Sequence, residues 1–250
     1  MEIAVLCISC DKYEDTWPIF VSLFNRYWPD CSYSKYILAN EQSGTISNFN
    51  ILSVGQDISW SSNLIECLNQ IEEEYVLLCL DDLPLMAPVD SRYFKSRFEL
   101  MKKNSWDNMK LIQKPVSLIG RLISGFTEMA VGDRYRFTAV YSLYKKESLL
   151  SLLVRSESAW DFEKNATNRG KEFKSMVIRS KDVFTFNHTI IRGKLTRKGK
   201  ALYNKESVQT DRGVLDYKQE LWYSLKKLRL GLFQVLFSSR LRRRIYSLKN

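Results

Sequence analysis

The chain has 250 residues, enough for one large domain or two small ones. Hydrophobic residues make up 45% and aromatic residues 13%, with only 10 Gly and 5 Pro, which excludes disordered, collagen-like and low-complexity proteins. The sequence contains no uninterrupted apolar run of about 18 residues, so a membrane-spanning helix is excluded. We therefore expect a globular protein.

The N-terminus and the cysteines predict a cytoplasmic protein. Glu2 stands where a secretory signal needs Lys or Arg, and the apolar run that follows is too short for that role. The five cysteines are odd in number, and three of them lie in apolar runs, as reduced, buried thiols usually do.

The formal net charge of +10 is concentrated at the C-terminus. Residues 218–250 hold nine basic residues and one acidic residue, which leaves 29 basic and 27 acidic residues for residues 1–217. The same segment carries apolar residues at helical spacing: Leu221, Trp222, Leu225, Leu228, Leu232, Phe233, Leu236 and Phe237. We therefore divide the chain into a domain of residues 1–217 and a basic amphipathic tail of residues 218–250.

A basic amphipathic helix can lie in the interface of an anionic membrane, with its apolar face buried and its cations at the headgroups. We predict this contact for the tail, with four cations near the headgroups: Arg240, Arg242, Arg243 and Arg244. The alternative is a terminal helix that packs on the domain and keeps its basic residues in solvent. Nucleic acid is not expected as a partner, since the main body is nearly neutral.

The first half of the chain alternates apolar strands with amphipathic helices. The predicted elements are, in order, strand 3–9, a helix capped by Thr16 and ended by Pro29, strands 36–39 and 51–54, a helix carrying Leu64, Leu68 and Ile71, and strand 75–80. This alternation predicts an α/β fold with a doubly wound, mainly parallel sheet flanked by helices, whose ligands bind beyond the carboxyl ends of the strands.

The second half has a weaker pattern. It predicts helices at 91–103 and 146–154 and strands near 116–123, 137–141 and 183–187. No internal repeat and no Gly- or Pro-rich linker divides the chain.

Two adjacent carboxylates, Asp81 and Asp82, end the strand at 75–80. Each raises the pKa of the other, and burial adds to the cost of ionising them; a divalent cation removes that cost. Mg²⁺ or Mn²⁺ binds one or two protein carboxylates and completes its shell with substrate phosphates and water. The alternative is that both aspartates cap the turn before Pro84.

Several segments of the sequence resemble a known family. They are Ser9-Cys10-Asp11-Lys12-Tyr13, Trp60-Ser61-Ser62-Asn63-Leu64, the strand that ends in Asp81-Asp82, and Ser158-Ala159-Trp160-Asp161-Phe162-Glu163. Their order and spacing, over roughly residues 1–200, resemble the bacterial GT-A-fold glycosyltransferases of surface-polysaccharide gene clusters, which build lipopolysaccharide O-antigen and capsule.

This resemblance implies a GT-A-like fold, a nucleoside-diphosphate sugar donor, with a UDP-sugar favoured, and a divalent metal, Mg²⁺ or Mn²⁺. The implied donor-binding residues are Ser9, Asp11, Lys12, Trp60 and Asp81. The family's usual acidic motif is Asp-x-Asp, so the adjacent pair leaves open which carboxylate binds the metal; we favour Asp82, nearer the strand exit. The only histidine, His188, is a second candidate metal ligand, because a late histidine has that role in some members of the fold; a loop contact is the alternative.

The last motif is consistent with a helix start. Ser158 and Asp161 form a capping-box-like pair, which gives Asp161 a structural role, while Trp160 and Glu163 lie three apart on one helical face. An aromatic ring beside a carboxylate suits a sugar, so Trp160 is our acceptor-binding candidate. With the resemblance, Glu163 is the predicted general base and Asp161 the alternative catalytic carboxylate. Without the resemblance, the residues favour a Glu163 that faces solvent and pairs with Lys164 or Arg169.

A basic, glycine-bearing loop follows the histidine. Lys194 in this loop is a further donor-binding candidate because it can screen diphosphate charge, and a solvated loop is the alternative.

The predicted function is a hexosyltransferase that moves a sugar from a nucleoside-diphosphate donor to an oligosaccharide linked to polyprenyl diphosphate, working peripherally at the inner face of the plasma membrane. A single base candidate favours inversion. The alternatives are a nucleotidyltransferase on a similar sheet and a non-catalytic membrane or nucleic-acid adaptor. A nucleotidyltransferase needs a Gly-rich, basic loop after its first strand, and this sequence has no such loop after strand 3–9.

Overall fold

The computed structural model describes residues 2–113, 122–123, 125–131, 133 and 135–236. The strands are β1 (Ile3–Ile8), β2 (Ser34–Ala39), β3 (Gly44–Ile46), β4 (Phe49–Ser53), β5 (Tyr75–Leu80), β6 (Asn108–Lys110), β7 (Leu122–Ile123), β8 (Phe126–Glu128), β9 (Ser142–Lys145), β10 (Ser175–Ile178), β11 (Ile190–Ile191) and β12 (Lys194–Leu195). The helices are α1 (Trp17–Tyr27), α2 (Trp60–Asn69), α3 (Ser91–Lys103), α4 (Lys146–Leu152), α5 (Ala159–Arg169), α6 (Arg197–Lys205) and α7 (Tyr217–Leu236), and a 3-10 helix (Asp11–Thr16) precedes α1.

Ten strands form one sheet in the order β3-β4-β2-β1-β5-β9-β6-β10-β8-β7, and β11 and β12 form a separate hairpin. Strands β4, β2, β1 and β5 are parallel neighbours, and β9 enters antiparallel between β5 and β6. Strand β10 is again parallel to β6. The fold class predicted from the sequence, an α/β sheet flanked by helices, is confirmed.

The centre of the sheet is buried on both faces, as the continuous apolar runs predict. All six residues of β1 are buried, and they alternate between two cores: Ile3, Val5 and Cys7 face one, and Ala4, Leu6 and Ile8 face the other. Helices α1 and α3 cover the first face, while α2, α4 and α5 cover the second. The result is three layers with the sheet in the middle.

The second half departs from two sequence predictions. The strand predicted at 137–141 is wrong, because the chain turns at Tyr141 (φ 41°) and the Tyr144 hydroxyl bonds to both the N–H (2.8 Å) and the carbonyl (2.9 Å) of Thr138. The extended pairing begins only at β9. The strand predicted at 183–187 is also wrong, since within it only Phe186 forms an isolated bridge, to Leu85. Of the strand predicted at 116–123, residues 122–123 form β7 and the remainder lies outside the described residues.

The tail contains the expected helix, α7, up to Leu236. Phe237 and the four arginines at 240 and 242–244 lie outside the described residues, and so do the side chains of Leu232, Phe233 and Leu236. None of the helices in the described part of the chain combines the length and the apolar character that a membrane span requires.

Helix α6 touches the chain just before β11 through a glycine. A Cβ on Gly199 would lie 2.2 Å from the carbonyl oxygen of Thr189, which already accepts a hydrogen bond from Thr196 N (2.8 Å). The Thr196 hydroxyl in turn caps α6 by accepting from Gly199 N (2.9 Å). The packing of α6 therefore requires the absence of a side chain at this position.

We expect Gly199→Ala to lower the free energy of unfolding by about 1–3 kcal/mol, because the clash is with backbone and outweighs the better helix propensity of alanine. Gly213→Ala is the matched control, since a Cβ there meets nothing within 4 Å. Urea unfolding of both variants measures the difference. Equal stability of the two variants would contradict this packing.

Candidate functional site

The carboxylate of Asp81 joins the ends of β1 and β5. The residue is buried, and its Oδ2 accepts hydrogen bonds from the hydroxyls of Ser9 (2.5 Å) and Thr16 (3.1 Å). Ser9 is held in turn by Trp17 Nε1, which donates to its Oγ at 2.8 Å. One side chain therefore connects both strand ends to the start of α1.

Thr16 occupies the predicted N-cap position of α1, but its hydroxyl does not cap the helix. The preceding 3-10 helix runs directly into α1 and supplies a backbone acceptor, Glu14 O, for the N–H of Trp17. The Thr16 hydroxyl lies instead within hydrogen-bond distance of Tyr13 O (2.6 Å) and of Asp81. The sequence-based capping role is wrong for this reason.

Both adjacent carboxyls have raised pKa values. Burial raises the pKa of Asp81 to about 6, against the lowering effect of the Ser9 and Thr16 hydroxyls. Burial and the neighbouring Asp81 raise the pKa of partly buried Asp82 to about 7. These raised pKa values agree with the cost of ionising two adjacent carboxyls that we expected from the sequence.

The turn after β5 is held at three successive residues. Asp81 is bound through its side chain, the carbonyl of Asp82 accepts from both the N–H and the hydroxyl of Thr189 (2.9 Å each), and the carbonyl of Leu83 accepts from the Tyr141 hydroxyl (2.6 Å). Tyr141 is buried with φ 41°, a left-handed conformation that is costly for an aromatic residue. Such strain persists where the surrounding contacts require it, which indicates that the position of this turn matters.

A guanidinium ties a late part of the chain to this edge. Arg212 binds both carboxylate oxygens of Asp15 (2.8 and 2.7 Å), donates to Lys12 O (2.9 Å) and lies 4.1 Å from the ring centroid of Tyr13. Its charge lowers the pKa of Asp81 and Asp82, although burial dominates both. No local motif marks Arg212 in the sequence, so its role at this edge was not predicted.

The residues after β1 face the loop after β2. Both oxygens of Asp11 accept backbone hydrogen bonds, from Asn40 N (2.8 Å), Glu41 N (2.9 Å) and Gln42 N (3.3 Å). Asp11 thus shapes the loop beside the candidate donor site. Lys12 is exposed, with its Nζ 4.0 Å from Asp57 Oδ2 at the approach to α2.

The starts of α2 and α5 are brought together. Ser61 N donates to Glu157 O (3.1 Å), and the Trp60 ring lies 5.3 Å from the ring of Phe162. Helix α2 follows the carboxyl end of β4, so the start of α5 lies at the same edge of the sheet as the ends of β1 and β5. The structure therefore gathers the segments of the resembling motifs at one edge, although they are distant in sequence.

The carboxylates of α5 differ in environment. Asp161 is exposed and completes the predicted capping box with Ser158, whose hydroxyl and N–H bonds lower the pKa of Asp161. Glu163 is partly buried and accepts a hydrogen bond from the buried Thr138 hydroxyl. Trp160 is 76% exposed on the same helix, free of the core. The structural role predicted for Asp161 is confirmed, while the catalytic roles stay predictions.

Lys194 and His188 lie toward the hairpin of β11 and β12. Lys194 is exposed and lines a cavity with α7, and the exposed His188 ring lies 5.7 Å from Phe186. Within the described residues, no group of three or more His, Cys, Asp and Glu side chains is placed to hold a metal ion. The donor set that the structure presents is the pair Asp81 and Asp82, which fits a Mg²⁺ or Mn²⁺ ion whose shell is completed by phosphate and water.

The sheet and its carboxyl edge define a GT-A-like fold. Solved structures of S. aureus TarS are similar: TarS itself (13% identity, TM-score 0.51, 95% of this chain and 44% of that chain), TarS 1-349 in complex with UDP-GlcNAc (12%, 0.51, 78% and 60%) and TarS 1-349 in complex with UDP (9%, 0.50, 97% and 68%). At these identities the likeness is one of fold. No protein-family model and no curated protein matches the chain.

The chain spans about half of the TarS chain, 44%, and 59% of a TarS 1-349 structure. The likeness therefore concerns the sheet and its helices and extends over part of the larger protein.

The raised pKa values predict a stability that depends on pH. The folded state binds protons more tightly than the unfolded chain between about pH 4 and 7, so stability falls as pH rises through this window. We expect Asp82→Asn to stabilise the metal-free protein at about pH 8 by on the order of 2 kcal/mol, with the difference shrinking towards about pH 4. Urea unfolding in chelator at both pH values measures it, with exposed Asp30→Asn as control; a variant less stable than the parent at the higher pH would refute the assignment.

Proposed function

We propose that the protein is a glycosyltransferase that moves a sugar from a nucleoside-diphosphate donor, a UDP-sugar, to a saccharide acceptor linked to membrane polyprenyl diphosphate. The observation that carries the proposal is the pair of high-pKa carboxylates, Asp81 and Asp82, at the carboxyl edge of a GT-A-like sheet. The similar TarS 1-349 was solved with UDP-GlcNAc and with UDP, which supports a nucleotide-sugar donor.

Asp82 is the residue that we assign to a divalent cation, Mg²⁺ or Mn²⁺. Hydroxyl groups engage Oδ2 of Asp81, whereas the Asp82 carboxylate carries the higher pKa and has no cation within 4 Å among the ion pairs of the described residues. Bound there, the metal would supply positive charge for the diphosphate that leaves the donor. The assigned donor contacts are Ser9, Asp11, Lys12, Trp60, Asp81 and Lys194.

Glu163 is the assigned general base. In an inverting transfer the acceptor hydroxyl attacks the anomeric carbon as the diphosphate leaves, and a carboxylate takes the hydroxyl proton. The Thr138 hydroxyl holds one carboxylate oxygen of Glu163, which orients the side chain and leaves the other for the acceptor. The exposed Trp160 ring, on the same helix, is the assigned surface for the acceptor sugar.

The tail supports an acceptor at the membrane, and thus a peripheral position at the inner face of the plasma membrane. The described apolar side chains of α7 are turned to solvent, with Leu221, Trp222, Leu225 and Leu228 between 46% and 61% exposed. Packing on the domain, the alternative drawn from the sequence, does not bury these four side chains. An enzyme that shares a surface with its acceptor gains effective concentration.

Donor binding tests the proposal. We expect UDP-GlcNAc with Mn²⁺ to raise the melting temperature of the parent, because saturating ligand at about 100 times its Kd stabilises a fold by about 2.7 kcal/mol. Asp82→Asn should lose the Mn²⁺-dependent part of this shift, and Asp30→Asn should keep it. No shift with any of a panel of nucleotide sugars would count against a glycosyltransferase, and release of inorganic pyrophosphate from a nucleoside triphosphate would identify a nucleotidyltransferase.

Turnover tests the base. Glu163→Gln keeps size and hydrogen bonding but cannot accept the proton, so we expect turnover to fall about 10²- to 10⁴-fold with donor affinity nearly unchanged. Asp161→Asn on the same helix is the matched control: it weakens the capping box and costs on the order of 1 kcal/mol of stability, measured by urea unfolding, while turnover persists. If Asp161→Asn abolishes turnover and Glu163→Gln retains it, the two roles are exchanged.

A further inference from the structure

A cavity of about 600 Å³ lies between the β11–β12 hairpin and α7. Three of its lining residues are cations, and two are aromatic: Arg192, Lys194, Lys218, Trp222 and Tyr223. The three cations are exposed, so the cavity is an open cleft with positive charge at its rim.

These cations have no partner of opposite charge in the described part of the chain. None of the ion pairs there involves Arg192, Lys194 or Lys218, whereas the nearby Glu220 carboxylate lies 3.7 Å from Arg197. Among the described residues, the buried hydroxyl of Tyr223 has no hydrogen-bond partner, and its ring lies 5.5 Å from the Arg192 guanidinium. An anion with several oxygen acceptors would satisfy both kinds of group.

Arg192 is held in this cleft at a conformational cost. The hairpin turns through Arg192 (φ 50°) and Gly193 (φ 75°), and two adjacent left-handed residues are typical of a turn that prefers Asn, Asp or Gly. An arginine at the first of these positions is unfavourable for the turn itself. Its presence indicates that the guanidinium serves a purpose at the tip of the hairpin.

The face of α7 beside the cleft is apolar and open. Tyr217, Leu221, Leu225 and Leu228 recur at spacings of three and four residues and are 60%, 46%, 57% and 61% exposed. The surface of a soluble protein seldom exposes a row of apolar residues beside a tryptophan and several cations that lack ion-pair partners. Together, a basic rim, an aromatic pair and an apolar helical face match the boundary between headgroups and acyl chains of an anionic bilayer.

We propose that the cleft between the β11–β12 hairpin and α7 docks on an anionic phospholipid bilayer, with Arg192 and Lys218 on lipid phosphates and the apolar face of α7 in the acyl boundary. This deepens the proposed function, on which it rests, by adding the β11–β12 hairpin of the domain to the membrane contact of the tail. The hairpin begins at Thr189, the residue that holds the Asp82 carbonyl. Docking therefore fixes the carboxylate edge relative to the membrane surface.

The test is co-sedimentation of the full chain with vesicles of phosphatidylcholine containing about one third phosphatidylglycerol, at low ionic strength where charge is least screened. The double variant Arg192→Asn with Lys218→Gln relieves the turn and removes two cations, so it should fold at least as well as the parent. We expect it to bind these vesicles on the order of 30-fold more weakly, since each cation contributes about fivefold. The matched control, Lys95→Gln with Lys171→Gln, removes two exposed lysines that form no ion pair among the described residues, and it should bind as the parent does.

Two further measurements separate the lipid from other anions. Leu228→Gln should weaken vesicle binding and Val154→Gln, also exposed, should not; millimolar inorganic pyrophosphate should leave most of the parent on the vesicles. Equal binding of the double variant and the parent, or equal binding to pure phosphatidylcholine, overturns the proposal. So does a double variant that keeps vesicle binding but loses the melting shift with UDP-GlcNAc, which would place the donor in the cleft. If vesicle binding behaves as expected and no nucleotide sugar binds, the docking site stands and the proposed transfer fails.

Discussion

The hydrogen-bonded carboxylate of Asp81 is the interaction on which the candidate site depends. It lies where two strands, both buried on their two faces, end side by side, and the hydroxyls of Ser9 and Thr16 are its partners there. Hydroxyl groups neutralise no charge, so burial still raises the pKa of Asp81 and, next to it, that of Asp82. The two carboxyls are costly to ionise because they lie at the buried ends of the strands, and a bound cation would lower this cost.

Two backbone carbonyls of the turn after β5 connect it to later parts of the chain. Thr189 binds Asp82 O and leads into the β11–β12 hairpin, and Tyr141 binds Leu83 O and leads into β9. Residues of this hairpin also line the cleft that we assign to lipid, so Thr189 connects the turn to that surface. The carboxylate edge and the cleft that we assign to lipid therefore share one connected set of contacts.

The sequence predicted features that depend on neighbouring residues and did not predict those that depend on residues far apart in the chain. The apolar runs of β1 and β5 and the Ser158–Asp161 capping box are local patterns, and the structure contains them. The strand expected at 137–141 failed because the Tyr144 hydroxyl satisfies the backbone of Thr138, which apolar periodicity does not reveal. The Thr138 bond to Glu163 spans 25 positions, and no spacing rule predicts it.

The pairing of Arg212 with Asp15 closes a loop of 197 positions, far longer than the separations that join β1 to β2. Closing a longer loop costs more chain entropy, and this cost grows slowly with loop length. During synthesis the neighbouring strands can pair first, while the edge beside the carboxylates stays unfinished until the segment around residue 212 has emerged and folded back. A partly synthesised chain that ends before residue 212 therefore lacks the guanidinium that binds Asp15 and lowers the pKa values of Asp81 and Asp82.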